Sequence, residues 1–180
     1  MANSVCQGVH YVDTVGIISK IPLRIRAIQF YPAAVSDVLD LNIWDETTAA
    51  LDSFMTATAS SGTVTDADTG HNVLTSAACP DGSVVQVLGG SGSATYHTYH
   101  LIGTAGNDDR IIITPTSTWG DEAAKTYRFK VFPQKPFFNA LQSTVANTHE
   151  SKFHYFGGVC VPNLICETLS TSAYALIYTD

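Results

Sequence analysis

The stretch Val38-Leu39-Asp40-Leu41-Asn42-Ile43-Trp44 sets Leu39, Leu41 and Ile43 on one side and Asp40 and Asn42 on the other. A period of two fits a strand with one face on a core and the other toward water. Runs of the same kind recur at Leu23–Tyr31, Val84–Leu88, Tyr96–Ile102, Arg110–Thr114, Tyr127–Phe132, Phe153–Ile165 and Ala173–Tyr178. Gly, Pro, Asn and Asp separate them, as expected between strands. Within Leu23–Tyr31 the apolar parity changes, and a β-bulge near Ala27 would return both halves to one face. The pattern predicts an all-β chain: a single antiparallel β-sandwich or jelly-roll-like domain over residues 1–180, with about eight to ten strands.

Two segments break the alternation. Leu51, Phe54, Met55 and Thr58 recur at helical spacing behind Asp45 and Glu46, which makes a short helix plausible over 45–58. Residues 137–147 follow Pro136 as either a second helical segment or an irregular crossover. The polar run Ser60–Asn72 reads as an exposed loop. Residues 45–75 thus form an excursion from the sandwich, and the fold carries one or two short helices.

Charged residues make up only 14% of the chain, against about 25% in typical domains. Small polar residues must therefore cover much of the surface, which suits close contact with other protein. A formal net charge of −7 and scattered Lys and Arg oppose a grip on phosphates, so direct nucleic-acid binding is not expected. The N-terminal residues show no secretory signal, and no apolar run reaches the ~20 residues of a membrane span. The chain is expected to be soluble and made in a reducing compartment, with Cys6, Cys79, Cys160 and Cys166 as free thiols.

Each candidate for chemistry fails on geometry or spacing. In YHTYHLIG, His97 and His100 lie three apart, so a strand points them to opposite faces and they cannot chelate as a pair. His149, His154, Cys160 and Cys166 lack the close-pair spacing of small zinc sites. Asp66-Ala67-Asp68-Thr69-Gly70-His71-Asn72 resembles a calcium loop, but without a third acid or a distal Glu it reads better as a solvated turn. Gly89-Gly90-Ser91-Gly92-Ser93 departs from both the nucleophile-elbow and the phosphate-loop patterns. No enzyme, metal or cofactor is expected. The aromatics remain: Trp44 ends an amphipathic strand and suits the core, whereas Trp119, Tyr96 and Tyr99, with Tyr174 and Tyr178, are candidates for an interface or glycan contact.

The run DTVGIISKIPLRIRAIQFYPAAVSDVLDLNIWD, Asp13–Asp45, resembles the opening hairpin of small β-sandwich structural proteins of tailed-bacteriophage virions. The end, FHYFGGVCVPNLICETLSTSAYALIYTD, is similar to their closing strands, and the middle, Thr47–Lys125, would elaborate that scaffold. The resemblance implies a virion protein assembled in the host cytoplasm. Most readily it is a capsid decoration, or cement, protein that binds the major capsid protein or other virion proteins, as a homo-oligomer with a trimer favoured. Neck, tail or fibre components come next, and a carbohydrate-binding β-sandwich is the competing class. The 45–75 excursion or the 115–122 loop would supply contacts.

Overall fold

The computed structural model describes residues 4–6, 8–68, 73–90, 98–107, 109–114, 121–141 and 152–180. Fifteen strands run through them. They are β1 (Ser4–Cys6), β2 (Val9–Val12), β3 (Gly16–Ser19), β4 (Leu23–Tyr31), β5 (Val38–Trp44), β6 (Leu51–Ser60), β7 (Thr63–Asp66) and β8 (Val84–Gly90), followed by β9 (Thr98–Asn107), β10 (Arg110–Thr114), β11 (Glu122–Phe132), β12 (Gln134–Leu141), β13 (Lys152–Val161), β14 (Leu164–Leu169) and β15 (Tyr174–Thr179). The strand pairs with a defined register are all antiparallel. The expected all-β class holds, but no helix occurs among the described residues.

The chain divides into two compact units, Met1–Ile43 with Lys135–Asp180, and Trp44–Gln134. The expectation of one domain with an excursion at 45–75 is corrected accordingly: the middle of the chain encloses a core of its own. No shift in composition marks either boundary, because both units are made of the same β-branched, aromatic and small residues.

The first unit is a β-sandwich. A five-stranded sheet, β1-β2-β15-β4-β13, and a four-stranded sheet, β12-β5-β14-β3, both contribute to one apolar cluster. Register sorts the five-stranded sheet into rows across the strands, since directly opposed residues share a face. One inward row is Phe30, Ala175 and Val12; the next is His154, Ile28, Ile177 and His10. On β4, Ile25, Ile28 and Phe30 are all fully buried in this core. That requires the expected bulge: Tyr178 pairs with Ala27 but Thr179 with Ile25, so β4 carries one extra residue there. At the open side of the sandwich, Phe137 and Phe138 of β12 pack on Phe156 and His154 of β13, with ring centroids 4.8–5.5 Å apart.

Local chemistry fixes the turns. Asp37 Oδ2 accepts the backbone N–H groups of Ala33 and Ala34 at 2.6 and 2.8 Å and so holds the Pro32–Asp37 turn. On β13, Gly157 and Gly158 both have positive φ, 67° and 91°, and a Cβ on Gly158 would stand 2.8 Å from Arg24 Nε. Glycine suits both left-handed positions of that bulge, where the register with β4 shifts between Tyr155 and Val159.

The inward histidines have a pH consequence. His10 Nδ1 and His154 Nε2 are buried without a hydrogen-bond partner among the described residues. Burial lowers the pKa of His10 below 6.5. A lowered folded-state value means that stability present above pH 6.5 is lost as the pH falls toward that value. Chemical denaturation at about pH 7.5 and 5.5, either side of that ordinary histidine value, should show a larger acid loss for the native chain than for His10→Leu. Equal losses would place the sensitivity elsewhere.

The second unit is a closed six-stranded barrel, β10-β7-β6-β11-β8-β9. Six strands leave less room than the eight that just admit side-chain filling. Small Ala57 and Ala59 accordingly share the interior with Met55, Val85, Val87, Ile111, Ile113 and Phe129. The β7–β8 connection adds Leu74 and Cys79, both fully buried, to this core. It is tied to β9 by Gly106 N–H donating to Cys79 O at 2.9 Å and by Ile102 N–H donating to Ser83 O at 2.8 Å.

Both expected helical segments are corrected here. Residues 51–60 are strand β6, with Met55, Ala57 and Ala59 inward and an eight-residue pairing to β11. The helical spacing counted Phe54, which the barrel leaves on its outer surface. Asp45 holds a turn instead of a helix start, accepting Thr47 N–H at 2.9 Å. The expected loop Ser60–Asn72 contains a two-residue hairpin turn, Ser61-Gly62 with φ of 48° and 78°, and then β7. Residues 137–141 belong to β12, and 142–147 lie outside the described residues. Pro136 is compatible with a strand there because β12 is an edge of its sheet.

Candidate functional site

The outward rows of the five-stranded sheet are aromatic. Tyr155, Ala27, Tyr178 and Val9 form one row; Phe153, Gln29, Leu176 and Tyr11 form the next; Tyr31 and Tyr174 form the third. Each outward residue alternates with an inward one, so the burial that builds the core also lifts these rings onto the opposite face. Ala27, next to the extra residue Arg26, is itself buried between Tyr155 and Tyr178. The small side chain leaves room for its larger neighbours.

The rings meet in two groups. Tyr31 and Tyr174 stack at 4.4 Å and 10°, Tyr11 meets Tyr174 at 5.4 Å, and Phe153 meets Tyr178 at 6.1 Å. Tyr178 OH donates to Gln29 Oε1 at 3.1 Å. Desolvation, then the neighbouring Tyr174 and Tyr178, raises the Tyr31 pKa. Phe153 and Tyr155 are the most open members, 57% and 72% exposed.

At one end of the face Asp180 bonds the Arg26 guanidinium and lies 3.1 Å from Arg24 Nη1. The hydrogen bond from Arg26 is the main cause that holds the Asp180 carboxyl below the ordinary range. These pairs are solvent-exposed and add little stability by themselves. They do fix the direction of two long cationic side chains.

The barrel has its own outward aromatic. Phe54 is 64% exposed and opposes Arg128 in the β6–β11 register. The Arg128 guanidinium lies 5.6 Å from the Phe54 ring centre and clasps Asp52 through two hydrogen bonds of 2.6 and 2.7 Å. Lys130 Nζ stands 3.6 Å from the same carboxylate.

Of the residues singled out from sequence, Tyr96 and Trp119 lie outside the described residues, as do His97 and His149. Trp44 is fully buried, as expected of a core residue, although its parity in β5 is that of Asp40 and Asn42. Tyr99 is half-buried against it at 5.7 Å and is held by hydrogen bonds. Its hydroxyl donates to Glu46 Oε1 at 2.8 Å and accepts from Gln86 Nε2 at 2.6 Å, while Trp44 Nε1–H reaches the same Glu46 oxygen at 3.2 Å. Tyr174 and Tyr178 join the aromatic face, together with Tyr11, Tyr31, Phe153 and Tyr155, which sequence reading did not select.

Burial, followed by the hydrogen bond and charge of Glu46, pushes the Tyr99 hydroxyl up from 10.0 to about 12. The raised folded-state value implies stability that is complete below pH 10 and lost as pH rises through about 12. Glu46→Gln is expected to lower this value, as followed by ring-carbon NMR through an alkaline titration. An unchanged titration would mean that the carboxylate does not govern the hydroxyl.

The alternation expected at YHTYHLIG is present from Tyr99 onward: His100 is buried and Ile102 lies in the barrel core, while Tyr99 points to the other side. Among the described residues no three His, Cys, Asp or Glu side chains gather to hold a metal. Cys166 is buried in the sandwich, whereas Cys160 is exposed on β13. The acids of the expected turn serve the backbone, with Asp66 Oδ1 accepting Asp68 N–H at 2.9 Å and Asp68 Oδ2 accepting Thr56 N–H at 2.7 Å. The chain matches no protein-family model, no curated protein and no solved structure.

Proposed function

We propose that the chain is a non-enzymatic viral structural protein, a capsid decoration protein that binds the major capsid protein and stabilises the assembled shell. The observation that carries this reading is an exposed aromatic-and-arginine surface on each compact unit: the tyrosine face of the sandwich and Phe54 with Arg128 on the barrel. A protein that bridges neighbours needs more than one contact surface, and aromatic residues and Arg are the types enriched in protein interfaces. Low charge density agrees with that use.

The resemblance to tailed-phage virion proteins adds support. Its first segment supplies β3, β4 and β5, its last supplies β13, β14 and β15, and the elaborated middle falls in the barrel. Binding only to assembled shell would stabilise that state by mass action, by about 2.7 kcal/mol when free protein is 100 times the Kd. Electron microscopy of the particle tests the reading. Density for the chain over the outer shell is the expected result, and density confined to neck, tail or fibre would replace decoration by one of those positions. Absence from particles would end the virion reading.

A further inference from the structure

We propose that Asp81-Gly82 is a site of slow self-modification, isomerisation of the backbone through the Asp81 side chain, and that the folded barrel controls its rate. The inference is independent of any contact with a shell.

The reactive pair comes from the sequence. Asp81-Gly82 is the one Asp-Gly step in the chain, and Asn-Gly does not occur. Closing a five-membered ring joins an aspartate side chain to the next residue's nitrogen, and glycine has no Cβ to shield that nitrogen. The Gly82 nitrogen attacks Asp81 Cγ, and the carboxyl hydroxyl leaves with the amide proton as water. Water then adds to one of the two carbonyls of the cyclic imide. Breaking the original peptide C–N bond leaves the chain running through the side chain as isoaspartate, whereas breaking the new bond restores aspartate.

The restraint comes from the fold. Asp81 is exposed, in a turn closed by Ser83 N–H donating to Pro80 O at 3.2 Å, so water reaches its carboxyl. Its neighbour is held. Gly82 N–H donates to Ile102 O at 2.9 Å, and Ile102 N–H donates to Ser83 O, which seats the turn on β9. Gln134 Nε2 donates to Gly82 O from the far end of the barrel's sequence. An amide committed as a donor to Ile102 cannot give up its proton and turn toward Asp81 Cγ until that bond breaks. Reaction therefore waits for a local opening of the turn.

The product has a structural consequence. Isoaspartate adds one carbon to the main chain just before β8, where Val84 and Val85 are fully buried and pair with Leu101 and His100. The lengthened turn no longer matches that register. Each opening thus exposes the barrel to a covalent change that closing does not reverse.

Ageing the purified chain at neutral pH, once native and once held in denaturant, tests the proposal, with isoaspartate at position 81 read by enzymatic methylation and peptide mapping. Denatured chain should accumulate it, and native chain should do so at least about tenfold more slowly, the factor given by a local opening of about 1.4 kcal/mol. Gln134→Ala, folded by circular dichroism, should age faster than native and exchange its Gly82 amide faster. Hydrogen exchange of the native chain gives a second readout that needs no variant: the Gly82 amide should exchange more slowly than in denatured chain. Equal ageing of native and denatured chain, or a Gly82 amide that exchanges as fast folded as unfolded, overturns control by the barrel. So does a Gln134→Ala chain that exchanges faster at Gly82 but ages as native does. A denatured chain free of isoaspartate at 81 overturns the site itself.

Discussion

Gly106→Ala is expected to destabilise the barrel by on the order of 4 kcal/mol, a value that combines the overpacking and cavity costs of core substitutions. A Cβ at this position on β9 would stand 2.3 Å from Leu74 O and 2.5 Å from Thr75 O. Both are backbone atoms, so no rotamer change relieves the clash. The β7–β8 connection would have to lift, withdrawing Leu74 and Cys79 from the core and breaking the bond from Gly106 N–H to Cys79 O. Chemical denaturation checks this, with Leu74→Ala, expected to lose about 3 kcal/mol, as the reference. A Gly106→Ala barrel within about 1 kcal/mol of native, far below the usual core penalty, would show that the connection does not seat against β9.

Trp44→Ala should cost about 3–5 kcal/mol, the range for removing a fully buried large aromatic. The indole has no exposed surface, packs 5.7 Å from Tyr99 and donates Nε1–H to Glu46. Trp44→Phe keeps most of the volume but loses the donor, and should cost roughly 1–2 kcal/mol from the lost bond and the smaller ring. Guanidinium unfolding followed by circular dichroism separates the two. If both variants cost the same, the hydrogen bond to Glu46, and not packing, dominates the site.

Alternation exposed much of this fold to sequence reading wherever one face of a strand is dry and the other wet. Leu39 and Leu41 of β5 follow that rule, although Asn42 and Trp44 on the other parity are buried as well, and the parity change near Ala27 locates the bulge that register confirms. Residues 51–60 misled because Leu51, Phe54, Met55 and Thr58 satisfy a helical period by accident of an exposed Phe54. Only the long-range pairing with β11 decides in favour of a strand. The limits of the barrel were silent for a related reason: closure is a property of six strands together, and no single segment records it.

The aromatic face was half legible. Tyr174, Leu176 and Tyr178 alternate with Ala175 and Ile177, so their common side follows from sequence. Tyr11, Tyr31, Phe153 and Tyr155 come from strands far apart along the chain. They join the same layer only through the registers of β2, β4 and β13 with their neighbours. Trp119 stood out in sequence because a lone Trp in a loop is conspicuous, whereas tyrosines on three strands are not.

β5 and β12 are neighbours in the four-stranded sheet, yet all of the barrel's strands lie between them in sequence. The chain therefore leaves the sandwich after β5 and re-enters it in the neighbouring strand. Exchange of the intervening cassette leaves every other strand connection of the sandwich untouched, which is the arrangement in which domain insertion is best tolerated. Relatives of this chain should accordingly differ by whole modules at this junction, and the junction is the natural graft point for displaying a foreign domain.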